Sequence, residues 1–444
     1  MKTGTKVKIK LAAMNYLEFA VWGAYLTSLG TFLWNKGMEG SIGIFYAIQG
    51  IVSLFMPAVI GIIADKYIQA QRMLSLCHFI AGAFMIGAGF YALTAGDNLQ
   101  FGPLFILYTI SVGFYMPTIG LANSIAYTTL NKYNLDTIKH FPPIRVFGTV
   151  GFICAMLFVN FTGFQNTYNQ LFTSGVLSLI LAFYAVTLTK CPVNKSSGKK
   201  SIVQALGLDA FKLFKSRQMA LFFIFSMFLG VSLQITNGFA NPFIKGFAEI
   251  PEYASTWGAN NANALISLSQ MSETLCILLI PFFLRRYGIK IVMAMSMFAW
   301  VFRFGFFGIG NPGDGVWLFI LSMIVYGIAF DFFNVSGSLY VDRNTNPSMR
   351  SSAQGLFMIM TNGLGATIGV LGAQAVIDHF VTSASTATDK VNGWHTSWFI
   401  FAAYALIVGL LFLVLFKYKH TPEKETVPEN IVEEDIDDPE GLIK

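Results

Sequence analysis

Charge is what this chain lacks. Asp, Glu, Lys and Arg make up only 12% of its 444 residues, about half the roughly 25% of a soluble globular protein. Hydrophobic residues account for 55%, aromatics for 15%, and the mean hydropathy is +0.59. Too few polar groups remain to clothe a water-soluble surface, so an integral membrane protein is expected. Cysteine is scarce as well. Cys77, Cys154, Cys191 and Cys276 are scattered, without a CxxC or a metal-ligand spacing, so neither a disulfide framework nor a metal or other cofactor is expected. Clustered acids of the DDxxD kind, which an intramembrane prenyl or lipid transferase needs for a metal–pyrophosphate site, do not occur. The one Asp-Asp pair is Asp437–Asp438, near the C-terminal end. An enzyme is therefore not expected. A channel is not expected either, because the acids within apolar runs stand singly in different helices rather than as a repeated ring.

What the chain has is apolar length. With about 20 apolar residues per span, the sequence divides into twelve helices, at 11–34, 41–64, 73–95, 101–130, 142–163, 168–189, 218–247, 258–284, 288–309, 315–341, 350–379 and 394–417. The fold class is all-α integral membrane. Lysine and arginine gather before the first helix (Lys2, Lys6, Lys8, Lys10) and after the even-numbered ones (Lys66, Arg72, Lys132, Lys139, Arg285, Arg286, Lys290, Arg343, Arg350), whereas the opposite loops hold Lys36, Lys245 and Lys390. Positive charge in short loops marks the cytoplasmic side, which puts both termini there. No removable leader is expected, since the apolar run after Lys10 is long enough to span. Residues 421–444 hold nine acids and two lysines, and the remainder 27 basic against 14 acidic residues. The basic excess follows from topology and does not point to nucleic acid. The acidic end reads as a disordered cytoplasmic tail.

The basic segment 190–217 divides the chain into halves at 1–189 and 218–420, and its stretch 203–211 reads as a short amphipathic helix on the membrane surface. Internal echoes support a duplication. Gly61-Ile62-Ile63-Ala64-Asp65-Lys66 after the second helix corresponds to Leu284-Arg285-Arg286-Tyr287-Gly288-Ile289-Lys290 after the eighth. Pro142-Pro143-Ile144-Arg145 opens the fifth helix as Pro347-Ser348-Met349-Arg350 opens the eleventh.

Polar residues inside apolar runs are expensive, and they mark substrate, ion or proton pathways. Asp331 stands in the middle of one such run, beside the helical stripe Tyr326, Phe330 and Asn334. On the seventh helix Gln234, Asn237 and Asn241 share a face, on the eighth Gln270, Glu273 and Thr274, and on the fifth Arg145, Thr149 and Phe152. Four stripes with no aqueous surface to occupy predict a shared polar cavity. A carboxylate such as Glu273 can accept from two hydroxyls, amides match the mixed edge of a nucleobase, and Phe152, Tyr326 and Phe330 suit its flat faces. Sugars and glycosides suit the same hydroxyl-binding groups, so a proton symporter for them is the rival reading. Each group also has a plainer role open to it. Gln234 and Asn237 can bond neighbouring helices, worth about 0.6 kcal/mol. Arg145 can snorkel to headgroups, and Arg303 can snorkel or tie helices together. His78, His140, His379, His395 and His420 fall near helix ends or loops and are not expected to relay protons.

The G-x-x-x-D-[RK] loop ending in Asp65 and Lys66, twelve spans and a central basic linker resemble the major facilitator superfamily. Phe141-Pro142-Pro143-Ile144-Arg145, Gly148-Thr149-Val150-Gly151-Phe152, Leu233-Gln234-Ile235-Thr236-Asn237, Ser269-Gln270-Met271-Ser272-Glu273-Thr274 and the run from Tyr326 to Gly337 resemble the nucleoside:proton symporter family, in one register from the first helix to His420. The resemblance implies a major facilitator fold in two pseudo-symmetric six-helix halves. It implies import of purine and pyrimidine nucleosides with protons, in a bacterial inner membrane, by a monomer using alternating access. It assigns Arg145, Thr149, Gln234, Asn237, Gln270, Glu273, Tyr326 and Phe330 to nucleoside contact, and Asp331 to proton coupling. Asp65 and Lys66 fall to the loop that braces conformational change. Glu18 departs from the family pattern, where a neutral amide is expected, so Glu18 and Glu273 stand as alternative coupling acids.

Overall fold

The computed structural model describes residues 3–192, 208–346 and 349–418, and every regular element among them is helical. Helix α1 runs Thr3–Gly23 and resumes after an irregular turn as Leu29–Asn35. There follow α2 (Ile42–Lys66), α3 (Ala70–Ala95), α4 (Phe101–Lys132), α5 (Thr137–Phe161) and α6 (Asn169–Val186). After the linker come α7 (Arg217–Gly246) and the 48-residue stretch Ala262–Ile309, which turns at Gly288 (φ 75°) into two arms, α8 (262–287) and α9 (289–309). Then α10 spans Val316–Asn344 and α12 spans Ala387–Leu415. Between them α11 runs Arg350–Met358, a π-helical stretch Ile359–Gly365, and Ala366–Ile377. Nine helices among the described residues are long and apolar enough to cross a membrane. The other three passes are α1, which is broken and opens with lysines, and the two arms that share Arg285, Arg286 and Lys290 at their fold. The expected surface helix at 203–211 lies mostly outside the described residues, as does the acidic tail. Leu208–Lys215 forms 3-10 turns, and Phe214 stacks on Phe223 of α7.

Helices in lipid gain little from hydrophobic burial against one another, so close approach through small residues holds them together. Here the close approaches are duplicated. A Cβ on Gly23 of α1 would run into the Phe152 backbone of α5, and one on Gly151 of α5 into the Tyr16 carbonyl of α1. In the second half, a Cβ on Gly230 of α7 would strike the Thr361 carbonyl of α11, and one on Gly369 of α11 the Val231 carbonyl of α7. Counted from the start of each half, both are the pairing of first with fifth helix, joined in the same way. The two halves are therefore built on the same helix crossing.

The halves meet at the end of the bundle away from Thr3. Gly43 N donates to Gln374 Oε1 at 2.7 Å between α2 and α11, and Asn160 Nδ2 to Asn261 Oδ1 at 2.8 Å between α5 and the start of α8. The break in α1 supplies the centre of this seam. The Leu26 carbonyl it frees accepts from the Tyr46 hydroxyl, Thr27 donates to Asn263 Oδ1 at 2.9 Å, and Thr31 donates to Asn241 Oδ1 at 2.5 Å. Asn241 in turn donates to Asn263 at 2.6 Å. Irregular backbone at membrane depth persists where such partners re-satisfy it.

The glycine crossings can be tested by one substitution at two places. Leucine at Gly151 must displace the α1 backbone, whereas a Cβ at Gly372 meets nothing within 4 Å. Overpacking of this kind costs about 1–3 kcal/mol. Gly151→Leu is expected to lower the thermal unfolding midpoint in detergent, with Gly372→Leu close to the parent protein. Equal midpoints would contradict the close-crossing account.

Candidate functional site

Six of the predicted residues converge between the halves. Arg145, two turns into α5, lays its guanidinium over the Phe19 ring of α1 at 3.8 Å from the centroid. Gly148 makes that possible, since a Cβ there would come within 2.7 Å of both Arg145 Nη1 and Phe19. Across the bundle, Glu273 of α8 and Asp331 of α10 lie within electrostatic reach of Arg145 and of each other. Among the described residues no ion pair closes between Arg145 and either carboxylate. Asp331 is 5% exposed, and its Oδ2 has no hydrogen-bond partner there. The Tyr326 and Phe330 rings stack in parallel at 5.8 Å and 5°, one helical turn apart. Beside them lies Gln270 of α8, one turn from Glu273.

Helix crossings fix these positions. A Cβ on Gly327 would meet the Ser272 carbonyl at 2.6 Å, and Ser272 donates to the Ile324 carbonyl. The α8 and α10 stripes are thereby locked in register. Arg303 of α9 sits behind them, 2% exposed, with Nη1 donating to Ser322 O at 2.7 Å and Ser269 Oγ at 3.3 Å. Its guanidinium lies 4.5 Å from the Tyr326 centroid. Of the two readings open to Arg303, tying helices together is the one the structure bears out. It does not snorkel.

The remaining predicted residues divide. Phe152 is buried edge-on against Trp22 at 6.1 Å, and Thr149 lies one turn from Arg145 on a partly exposed face. Asn237 donates to Gln234 Oε1 at 3.0 Å, so these two amides act as a unit. Asn241, which shares their face by periodicity, belongs instead to the seam with Thr31 and Asn263. A face extended one helical turn beyond Asn237 runs into the contact between halves. Asn334 and Thr274 bond carbonyls of their own helices, Phe330 O and Gln270 O. Asp65 and Lys66 end α2, and their side chains lie outside what is described.

Two departures concern titratable groups. Glu18 does not join Glu273 and Asp331. It is fully buried inside the first half, paired with His78 at 2.8 Å between Oε2 and Nε2. His78 is likewise fully buried, two turns inside α3 rather than near a helix end. The boundary expected at 73 lies three residues late, because Gln71 is buried and already part of the helix. A polar relay of Trp22, Gln49 and Tyr108, bonded at 3.2 and 2.9 Å, was also missed. The amide at 49 within an apolar run was the available signal.

Comparison with known proteins agrees with this architecture. A family model described as nucleoside H+ symporter matches residues 5–421. The chain is 45% identical to the xanthosine permease of Escherichia coli K12 over 94% of its length and 98% of the permease, and 43% identical to the nucleoside permease NupG of the same organism over 93% and 97%. The crystal structure of NupG superposes with a TM-score of 0.83 at 42% identity, covering 93% of this chain and all of that one. A peptide transporter of the POT family shares the fold alone, at 15% identity and a TM-score of 0.66 over 94% and 97% of the two chains. The chain is a multi-pass membrane protein with the major facilitator fold, and it belongs to the nucleoside H+ symporter family, a family of transporters rather than enzymes.

Proposed function

We propose that the protein imports nucleosides together with protons across a bacterial inner membrane, with both termini cytoplasmic, as a monomer whose single cavity lies between its halves. The observation that carries this reading is the arrangement of Arg145, Glu273 and Asp331: three ionisable groups within electrostatic reach of one another that close no ion pair among the described residues. An unpaired buried charge is costly unless a ligand or a proton completes it. A nucleoside supplies what the site lacks. Its ribose hydroxyls donate to Glu273, its polar base edge meets Arg145, Gln270 and the Gln234–Asn237 pair, and its flat faces pack on Phe152, Tyr326 and Phe330. Thr149 lies within the same stripe. Asp331, with an unpartnered carboxylate oxygen, is the coupling acid.

The seam between the halves supports alternating access. With cytoplasmic termini, the closed end is the outer one, and the conformation faces inward. Proton and nucleoside then leave to the cytoplasm. Reopening outward requires the Thr27–Asn263 and Thr31–Asn241 bonds to part while Asp65 and Lys66 help to close the opposite end. One proton moving down 100 mV supplies about 2.3 kcal/mol, enough for roughly 40-fold accumulation. A single titrating carboxylate suffices.

Uridine uptake into proteoliposomes with an inward proton gradient tests the assignment. The parent protein is expected to accumulate uridine, and Asp331→Asn to lose accumulation while still exchanging uridine at equilibrium. Indifference of the parent to all nucleosides, with competition by a sugar, would return the reading to a sugar symporter. Glu273→Gln removes charged hydrogen bonds worth about 1.5–3 kcal/mol each, so uridine binding measured by calorimetry should weaken by roughly tenfold to a hundredfold. For access, cysteines placed at Thr27 and Asn263 in a background lacking the four native cysteines are expected to cross-link on oxidation and stop uptake. A reductant should restore it. Undiminished uptake by the cross-linked protein would rule out the seam as the outer gate.

A further inference from the structure

The pair of Glu18 and His78 stands apart from the nucleoside site, and its hydrogen bonds carry a proton account. His78 Nδ1 lies 2.9 Å from Ser178 Oγ, while the same hydroxyl donates to the His78 carbonyl at 2.9 Å. A hydroxyl has one hydrogen to give. If it points at the carbonyl, Nδ1 must carry a proton and donate to the oxygen. On the other side, Nε2 and Glu18 Oε2 are 2.8 Å apart and need a hydrogen between them. Thr118 Oγ1 lies 2.5 Å from both Glu18 Oε1 and the Tyr115 carbonyl, and has one hydrogen for the two. With the Ser178 hydrogen on the carbonyl and the Thr118 hydrogen on Glu18, the arrangement is the loaded one: two protons shared by the ring and the carboxylate beyond those of the hydroxyls, and a neutral pair.

With one proton fewer, the same heavy-atom positions still satisfy the pair. The proton leaves Nδ1 for water when the helices part, the Ser178 hydroxyl turns its hydrogen from the carbonyl to the bare Nδ1, and Nε2–H still donates to Glu18. Every polar atom keeps a partner, and the pair becomes an anion. We infer that Glu18 and His78 form a second proton-binding site, built into the first half between α1 and α3, whose occupancy is recorded by the orientation of one serine hydroxyl.

The groups facing it come from each helix packed around it. Asn15 lies on α1 and Cys77 on α3, the latter within electrostatic reach of Glu18. Tyr115, whose hydroxyl donates to the Glu18 carbonyl at 2.9 Å, and Thr118 lie on α4, and Ser178 on α6. The charged neighbour is Arg145 of α5, within electrostatic reach of Glu18. Arg145 therefore stands between two acidic centres, Glu18 on one side and Glu273 with Asp331 on the other. Loss of the proton from the pair draws the guanidinium toward Glu18, and loading releases it toward the cavity. This last link rests on the proposed nucleoside site, whereas the proton site itself does not.

The two parts are tested separately. With isotope-labelled histidine in nanodiscs, only five ring systems contribute, and His78→Gln identifies the one in question. The parent protein is expected to show His78 Nε2 protonated and Nδ1 divided between protonated and bare, in proportions that follow the bulk pH. Glu18→Gln, of nearly the same shape, should change those proportions. A His78 ring in one state at every pH, or proportions identical in Glu18→Gln, overturns the site. For the link to transport, Glu18→Gln should lower gradient-driven uridine accumulation by roughly tenfold while equilibrium exchange persists. Unchanged accumulation at an unchanged proton-to-uridine ratio would make the pair a structural brace. Failure of the parent to move uridine would count against the nucleoside reading and leave the titration result standing.

Discussion

The membrane interior offers no water to a stranded charge, and the rest of the structure depends on how this chain meets that constraint. An ionised side chain at the centre of a span costs roughly 2.5–3.5 kcal/mol on insertion scales, and it survives where something answers it. Arg303 is answered by a backbone carbonyl, a serine and the face of Tyr326. Glu18 and His78 answer each other, with Thr118 and Ser178 completing the set. Arg145, Glu273 and Asp331 lie within electrostatic reach of one another and close no ion pair among the described residues. Satisfaction thus separates the paired membrane-depth charges from these three, a separation that composition alone cannot make.

The second determinant is duplication. In each half the first and fifth helices cross through glycine so closely that no side chain fits between them. Two similar bodies then meet along α2 with α11 and along α5 with α8, contacts that exchange places under the repeat. A seam of hydrogen bonds among amides and hydroxyls suits surfaces that must part and rejoin. Amide bonds between helices are individually weak, so a few can open together under a modest bias, whereas the glycine-packed interior of each half cannot.

Much of this was legible in the sequence, because span length and charge sparsity are one-dimensional properties. Twelve passes, their approximate limits and the stripes on α5, α7, α8 and α10 follow from apolar runs and helical periodicity. The failures share a cause: periodicity assigns a residue to a face but not to a neighbour. Asn241 lies on the face of Gln234 and Asn237, yet one further turn carries it into the seam. His78 looked peripheral because α3 was begun three residues late, and a histidine eight residues into a helix is an interior residue. Its pairing with Glu18, 60 positions away, has no local signature. The break in α1 is equally silent, since Leu26, Thr27 and Ser28 are ordinary helix residues until Tyr46, Asn263 and Gln170 offer their backbone and side chains other partners.

Arg145 is where these arguments join. Its position is set by Gly148 and the Phe19 ring rather than by an acid, so its charge is held in place without being neutralised. A cation over an aromatic face gains about 0.5–2 kcal/mol, less than a closed buried ion pair would bring. On the proposed site, an arginine locked to Glu273 would make substrate compete with a permanent bond. Held over Phe19, it stays available to whichever acidic side carries the charge. A transporter needs that kind of bistability, because a site that satisfies itself fully in one state has no reason to change.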